Sequence, residues 1–530
     1  MATRVARSWN ESVPWLVSLA AYVFASAVLA LRAYRSTGEF AFPLDDAYIH
    51  MAVARSLAEH GVWGVTPDAF SASTSSLLWP ALLAAGFVLT GPTVLWPLAL
   101  NLFAGAGVLL LTERWLRETA LPSRARLPVL LLLSSVLGSA ALLGMEHTPH
   151  ALAALLLLRC ASSMLSSRAA APLGLGISAA FATGLRYESL LFVGILTLCL
   201  VAQRKPRAAL AVTLGGLLPA AAFGAWSVAQ GWELLPNPVT QKRAAFGWES
   251  SSLRFALNVS TSPALLAATL VLLGLAWHQW RASAPRRASA LLALLVAAST
   301  AGHLCFAATD ALARYETYLL VLAVVSLALL LQPVFGGTDG RWGYTHAAAG
   351  GGLAAVALLS AVRAYGVWSS LPTASRNIYD QQLQTARFVR ALPSDVRVAV
   401  NDIGAVSLRG EHRIFDLWAL ASLPPSRYRT ELARSGSIRN LARTQGARIA
   451  VAYAHTFLPN QHDDAPPWRD LGQLTIANNV TCADATVHFY AADDRSAVAA
   501  RAALERLLPT LPARTQWREA QLSPKPTSPE

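Results

Sequence analysis

About a dozen apolar runs, most of them long enough to cross a bilayer, limit what this chain can become. They fall near 13–33, 76–90, 94–112, 127–143, 148–165, 172–185, 189–202, 207–229, 263–280, 288–307, 316–333 and 346–366. Backbone placed in lipid has to satisfy its own N–H and C=O groups, and a helix does this locally. The expected fold is therefore mainly α, a polytopic transmembrane helical bundle with the lipid bilayer as its first partner. Charged residues make up only 14% of the chain, against roughly a quarter in soluble domains. The net charge of +13 does not point to nucleic acid, because the arginines sit in short clusters between apolar runs. That is the pattern of membrane topology rather than of a phosphate-binding face, so no nucleic-acid partner is expected. Four cysteines with no Cys-x-x-Cys spacing give neither a disulfide framework nor a metal site. Arg4 and Arg7 precede the first run, which reads as an uncleaved span because it is long and many others follow.

Orientation follows from the basic clusters. Arg114, Arg117, Arg124 and Arg126 mark one connection as cytoplasmic, Arg204, Lys205 and Arg207 another, and Arg281, Arg286 and Arg287 a third. With the N-terminus inside, two full crossings between residues 34 and 113 would put the first cluster outside. The run at 76–90, short and carrying Pro80, is therefore expected to lie in the interface or to re-enter. This leaves about eleven spans, with the N-terminus cytoplasmic and the C-terminus extracytoplasmic. The division expected is a transmembrane module over 1–371, whose outer loop 34–75 carries an acid pair, an extracytoplasmic α/β domain over 372–508, and a disordered tail over 509–530. The domain is read from strand-like stretches at 397–400, 413–415, 448–452 and 486–490 and helical stretches at 426–445 and 497–508. The tail is read from its Pro, Ser and Thr content.

The acid pair is Asp45-Asp46 in Pro43–His50, directly after the first span. Carboxylates are costly at a membrane boundary and are functional candidates there. Ile49, Val53 and Leu57 recur at helical spacing, which predicts an amphipathic surface helix ended by Gly61. One aspartate at its start is accounted for as a cap, but the second is not. A carboxylate there has the chemistry of a general base. Lys242 and Arg243 follow the Pro236-Asn237-Pro238 turn in the long outer loop. They suit either lipid headgroups or a cationic clamp on a phosphate leaving group. Glu146, Arg186, Glu188, Arg314, Tyr315 and Glu316 all fall at span ends on the same expected side. They either ring one outward cavity or hold helices together as ion pairs, Arg186 with Glu146 for example.

These stretches together resemble the C-type superfamily of glycosyltransferases, GT-C. The resemblance rests on Asp45-Asp46 with the helix after it, Phe70–Trp79, Gly144-Met145-Glu146, Leu185–Glu188, Leu235–Lys242, Arg314-Tyr315, Asn401–Leu408 and Phe415–Leu420. Within that superfamily the chain is similar to actinobacterial terminal arabinofuranosyltransferases. It departs from them in having Leu185-Arg186-Tyr187-Glu188 where Thr-Arg-Pro-Glu is common, and Pro236-Asn237-Pro238 where Pro-Asn-Thr is common. The resemblance implies a multi-pass enzyme of the inner (cytoplasmic) membrane. Such an enzyme moves a sugar from a polyprenyl-phosphate-linked donor to a glycan, lipid or protein acceptor on the outer face, with inversion. It implies Asp45 or Asp46 as general base and Lys242, Arg186 and Arg314 on the donor phosphate. Glu146, Glu188 and Tyr48 would orient substrate, and Trp79 and Trp248 would offer faces for sugar stacking. No cofactor is required by this scheme, although the acid pair has the chemistry to hold a divalent cation, Mg²⁺ or Mn²⁺. Two other classes share the gross features: a transporter or flippase of a lipid-linked saccharide, and a non-catalytic envelope binding protein. The first class commonly shows inverted repeats, and none is evident in this chain.

Overall fold

The computed structural model describes residues 2–166, 171–244, 251–280, 284–336, 344–457 and 467–520. Among them, eight helices are long and apolar enough to cross a membrane: Ser12–Thr37, Leu95–Glu118, Ser123–Leu143, His147–Leu165, Pro206–Ala229, Pro263–Trp280, Arg287–Phe306 and Gly350–Arg390. Shorter apolar helices cover Leu78–Thr90, Pro172–Leu185, Ser189–Ala202 and Thr317–Gln332. The helix Leu78–Thr90 has 13 residues, which is about 20 Å of helix against a hydrocarbon core of about 30 Å. Ser76 starts it by accepting the Trp79 N–H at 3.2 Å, and Gly91 ends it at a positive φ of 78°.

The C-terminal region forms a six-stranded sheet. Its strands are β1 (Val398–Val400), β2 (Ile414–Asp416), β3 (Ile449–Ala452), β4 (Arg469–Thr475), β5 (Thr486–Ala491) and β6 (Gln516–Glu519), in the order β2-β1-β3-β5-β4-β6. The first three are parallel, with Val398 opposite both Ile414 and Ile449, and the other pairings are antiparallel. The three parallel strands are wholly buried apolar runs, apart from Asp416 at the end of β2, as expected of strands covered on both faces.

Several expectations are corrected. The helical stretch 426–445 is two helices, Pro425–Ser435 and Ile438–Thr444, broken at Gly436 with φ 70°. The domain boundary at 372 falls inside a helix. The chain runs without a linker from Tyr344–Ile378, which contains Pro372, through a π-helical turn at Tyr379–Leu383 into Gln384–Arg390. The tail expected over 509–530 is ordered as far as residue 520. Residues up to 520 are placed, β6 pairs with β4, and Arg514 donates two 2.7 Å hydrogen bonds to the buried Asp380 of the π-turn. Residues 521–530 lie outside the described residues.

The acid-pair helix, Asp45–His60, also departs from the expected surface helix. A run of its residues from Ala47 to Ala54 is buried, together with Ser56. It packs on the short helix Leu78–Thr90 on one side and on Gly404–Arg409 of the α/β domain on the other. Gly404 permits that second contact. A Cβ there would stand 2.3 Å from the Asp45 carbonyl oxygen and 2.8 Å from the Ile49 nitrogen.

Candidate functional site

The two aspartates have different jobs. Residues 45 and 46 are the first of their helix, and the position before them, Leu44, supplies no side-chain cap. Asp45 turns instead to the α/β domain. Its carboxylate accepts the Gly404 N–H at 2.7 Å and the Ala405 N–H at 2.9 Å, and so caps the short helix Gly404–Arg409. Burial pushes the Asp45 carboxyl up from the usual carboxylate range and nearby Asp402 adds to this, while the two backbone N–H groups pull it down. Asp402 is itself raised by burial, and is held by the Tyr453 hydroxyl and by Gln382 Nε2 at 3.1 Å.

Asp46 faces the other way. Its side chain is 45% exposed and pairs with Arg314, which also pairs with Asp310. Arg314 is aimed by a short loop. Ala313 before it has a positive φ of 56°, a strained conformation for a non-glycine residue, and the Arg314 N–H is held by Asp310 Oδ1 at 3.0 Å. Its guanidinium stacks 4.6 Å from the Tyr315 ring centre, and that of Arg186 lies 5.0 Å from the same ring. Asp46, Arg314, Tyr315 and His50 line a cavity of about 190 Å³. Ile49, Ser73, Ser75 and Pro238 complete its walls with Gln241 and Leu420.

Deeper in, the span-end charges pair with one another. Arg186 donates to Glu146 at 2.5 Å and to Glu188 at 2.6 and 3.1 Å, and Arg186 and Glu146 are 2% and 0% exposed. Glu146 Oε2 lies 3.5 Å from His50 Nε2. Burial lowers the His50 pKa, with Glu146 opposing, so the ring stays neutral near pH 7. Glu316 is also buried and pairs with Arg363 at 2.8 Å.

Part of the cavity wall comes from the α/β domain. Asp416 accepts the N–H groups of Trp418 (2.8 Å), Leu420 and Ala421 (2.7 Å), which folds 417–421 into a tight loop. Burial raises the Asp416 carboxyl to about 6 although these bonds favour its charged form. The helix Asn237–Ala244 grips this loop. Asn237 Nδ2 donates to the carbonyls of Ala419 (3.2 Å) and Leu420 (2.9 Å), and Gln241 Nε2 to those of Trp418 (2.6 Å) and Ala419 (2.8 Å). The Asn237 N–H in turn reaches the Ala72 carbonyl at 2.9 Å. Stretches far apart in sequence thus meet around Asp46.

Other predicted residues lie elsewhere. Tyr48 is on the opposite face of its helix and 1% exposed, its hydroxyl accepting the Phe42 N–H at 3.0 Å. It has no face toward this cavity. Trp79 is fully buried and donates to the Gly144 carbonyl at 3.3 Å, so it offers no surface to a sugar. Lys242 belongs to the helix Asn237–Ala244, but its side chain and Trp248 lie outside the described residues. The two aspartates diverge, and among the described residues no three His, Cys, Asp or Glu side chains gather to hold a metal ion. Reading the sequence missed His50, Asp310, Asn237 and Gln241 as parts of the site. The last two lie within Leu235–Lys242, whose place in the resemblance was the available signal.

Fold and site define a class: a multi-helix membrane protein with an acid–arginine cavity walled in part by a C-terminal α/β domain. A family described as a domain of unknown function, DUF8728, matches residues 376–490, within that domain. No curated protein matches the chain. Among solved structures the chain is similar to ArnT from Cupriavidus metallidurans bound to undecaprenyl phosphate, at 14% identity and TM-score 0.49 over 89% of this chain and 98% of that one. The apo state of the same protein aligns at 13% identity and TM-score 0.46 over the same shares. A mutant of the mycobacterial arabinofuranosyltransferase AftD aligns at 14% identity and TM-score 0.42, over 89% of this chain and 41% of that chain.

Removal of the Asp45 carboxylate has a defined expected result. Asp45→Ala leaves two helix-end N–H groups without their acceptor, a loss of about 0.5–2 kcal/mol, and loosens the α/β domain from the bundle. Limited proteolysis and thermal unfolding of the purified protein read this directly. The pH sense follows from the raised carboxyl. The unfolded chain releases the Asp45 proton in the usual carboxylate range and the folded chain releases it higher. Its contribution is therefore complete at acid pH and is lost as pH rises through the folded value. Asp45→Asn, which does not titrate, flattens that part of the dependence of Tm on pH.

Proposed function

We propose that the protein is a membrane glycosyltransferase that moves a sugar from a polyprenyl-phosphate donor to an acceptor hydroxyl, with Asp46 as the general base. The observation that carries this reading is the half-exposed Asp46 carboxylate paired with Arg314 on the wall of the cavity that His50, Ser73 and Gln241 also line. The motif resemblance across residues 45–420 supports the same chemistry. The donor's phosphate is an acceptor for the Arg314 guanidinium and competes with Asp46 for it, so a bound donor frees the carboxylate to take a proton. The acceptor oxygen then attacks the anomeric carbon as its proton passes to Asp46. The bond from that carbon to the phosphate oxygen breaks, and the electron pair leaves on polyprenyl phosphate, where Arg314 stabilises it. Inversion follows from a single displacement. Arg186 is engaged by two carboxylates, and its part is to hold Glu146 and the back of the cavity rather than to meet the phosphate. The expected location is the inner membrane with the cavity on the outer face, in line with the basic clusters.

The test is transfer by purified protein in lipid nanodiscs supplied with a panel of polyprenyl-phosphate sugars. Release of polyprenyl phosphate together with a glycosylated acceptor is the expected result. Donor movement between leaflets without any release would favour a flippase and overturn the proposal. Arg314→Gln should raise the donor KM more than that of the acceptor, since its side chain is assigned to the phosphate.

A further inference from the structure

The helix Asp45–His60 separates two cavities. At about 100° per residue, Asp46, Ile49 and His50 cover one face, while Tyr48, Met51, Arg55 and Glu59 centre on the opposite one. The second face lines a cavity of about 410 Å³, larger than the Asp46 cavity. Its other walls are the turn Pro92–Val94 and the segment carrying Arg409 and Glu411 in the α/β domain. The intervening helix keeps a ligand there from meeting Asp46, so the reading above gives this space no occupant.

Its lining carries two cations and two carboxylates. Arg55 lies 3.1 Å from Glu59 and donates to the Leu408 carbonyl at 2.5 Å, while Arg409 lies 3.3 Å from Glu39. Glu411 and Glu59 are both exposed. A net anion is poorly matched to this balance and a zwitterion is well matched: a phosphate for the guanidiniums and an ammonium N–H donor for the carboxylates. The setting adds a tail. The turn Pro92–Val94 joins the short helix Leu78–Thr90 to the span Leu95–Glu118, and beside it Val88, Leu89 and Leu95 are 69%, 75% and 64% exposed. Val88 and Leu89 end the short helix and Leu95 starts the candidate span, and apolar side chains so exposed there suit contact with acyl chains.

We propose that this cavity binds the headgroup of a phospholipid with a primary ammonium, phosphatidylethanolamine in chemical class. Its acyl chains would lie along Val88, Leu89 and Leu95. The lipid would bridge the bundle, through the turn and the acid-pair helix, to the α/β domain, through Arg409 and Glu411.

Native mass spectrometry of the full chain, released from micelles containing equal amounts of phosphatidylethanolamine, phosphatidylcholine and phosphatidylglycerol, tests this. Retention of phosphatidylethanolamine about tenfold above each of the others is expected, which corresponds to one charge-assisted hydrogen bond. The pair Glu59→Gln and Glu411→Gln should move the preference to phosphatidylglycerol, because the cations remain. Thr93→Trp, which fills the cavity at the turn, should abolish retention in a folded protein, the lost Thr93 Oγ1 acceptor of the Leu95 N–H lowering stability by no more than one helix cap, about 0.5–2 kcal/mol. Equal retention of the three lipids, or a preference that survives both the Gln pair and Thr93→Trp, overturns the proposal. So does displacement of the lipid by an equal concentration of water-soluble glycerophosphoethanolamine. The readout is lipid retention alone, so it stands whether or not sugar transfer is found.

Discussion

Asp46→Asn is expected to lower kcat by about 10²- to 10⁴-fold, the range for a removed general base, with folding intact. The side chain sits on the cavity wall with 45% of its surface open, so the loss of one charge there disturbs little packing. Asn keeps a carbonyl oxygen for the Arg314 guanidinium, and the cavity stays in shape while the proton acceptor is gone. Asp45→Asn is the matched control. Asp45 is occupied by the N–H groups of Gly404 and Ala405, so its replacement should weaken domain docking and leave kcat within about tenfold, far from the general-base range. Turnover measured in nanodiscs beside thermal unfolding separates the two. If Asp45→Asn proved the more damaging to turnover at equal folded fraction, the roles assigned to the pair would have to be exchanged.

The second large effect belongs to Arg186. Arg186→Met removes the cation shared by Glu146 and Glu188 and leaves Glu146, fully buried, without its 2.5 Å partner. Breaking a buried pair from one side costs about 3–5 kcal/mol. A denaturant or thermal unfolding series in detergent should show a loss of that size. Adding Glu146→Gln to Arg186→Met should restore a good part of it, because the orphaned charge is then gone as well. A different outcome would be equally clear. Unchanged unfolding combined with a raised donor KM would place Arg186 on the donor phosphate, as the motif resemblance implies.

Much of the architecture was legible because apolar length and β-branched runs report burial locally. The apolar runs became helices, and the stretches around β1, β2, β3 and β5 are dense in Val, Ile and aromatic residues. β4 (Arg-Asp-Leu-Gly-Gln-Leu-Thr) and β6 (Gln-Trp-Arg-Glu) were missed for the converse reason. They are the outer strands beyond β5, with charged residues facing water, and such strands lack a hydrophobic signature. The site was legible as a set of residue types and not as a geometry. Nothing near residue 45 says that Asp45 will meet N–H groups more than 350 positions further on, or that Tyr48 will turn from the cavity that Asp46 enters. The same distant contact buried a helix whose spacing suggested the membrane surface. The pairing of Arg186 with Glu146 was one of two readings the sequence allowed, and the packing of their helices chooses it.

The unbroken helix from the last span through the π-turn into the α/β domain sets an angular phase. Each residue added to or removed from it would turn everything beyond by about 100° and shift it by about 1.5 Å. Gly404 would leave Asp45, and the loop at Leu420 would leave the cavity it walls. The length of this shaft is therefore quantised. Substitutions along its lipid-facing side are tolerable where a single insertion is not, and a chimaera that grafts another α/β domain here has to match the count of residues as well as the interface.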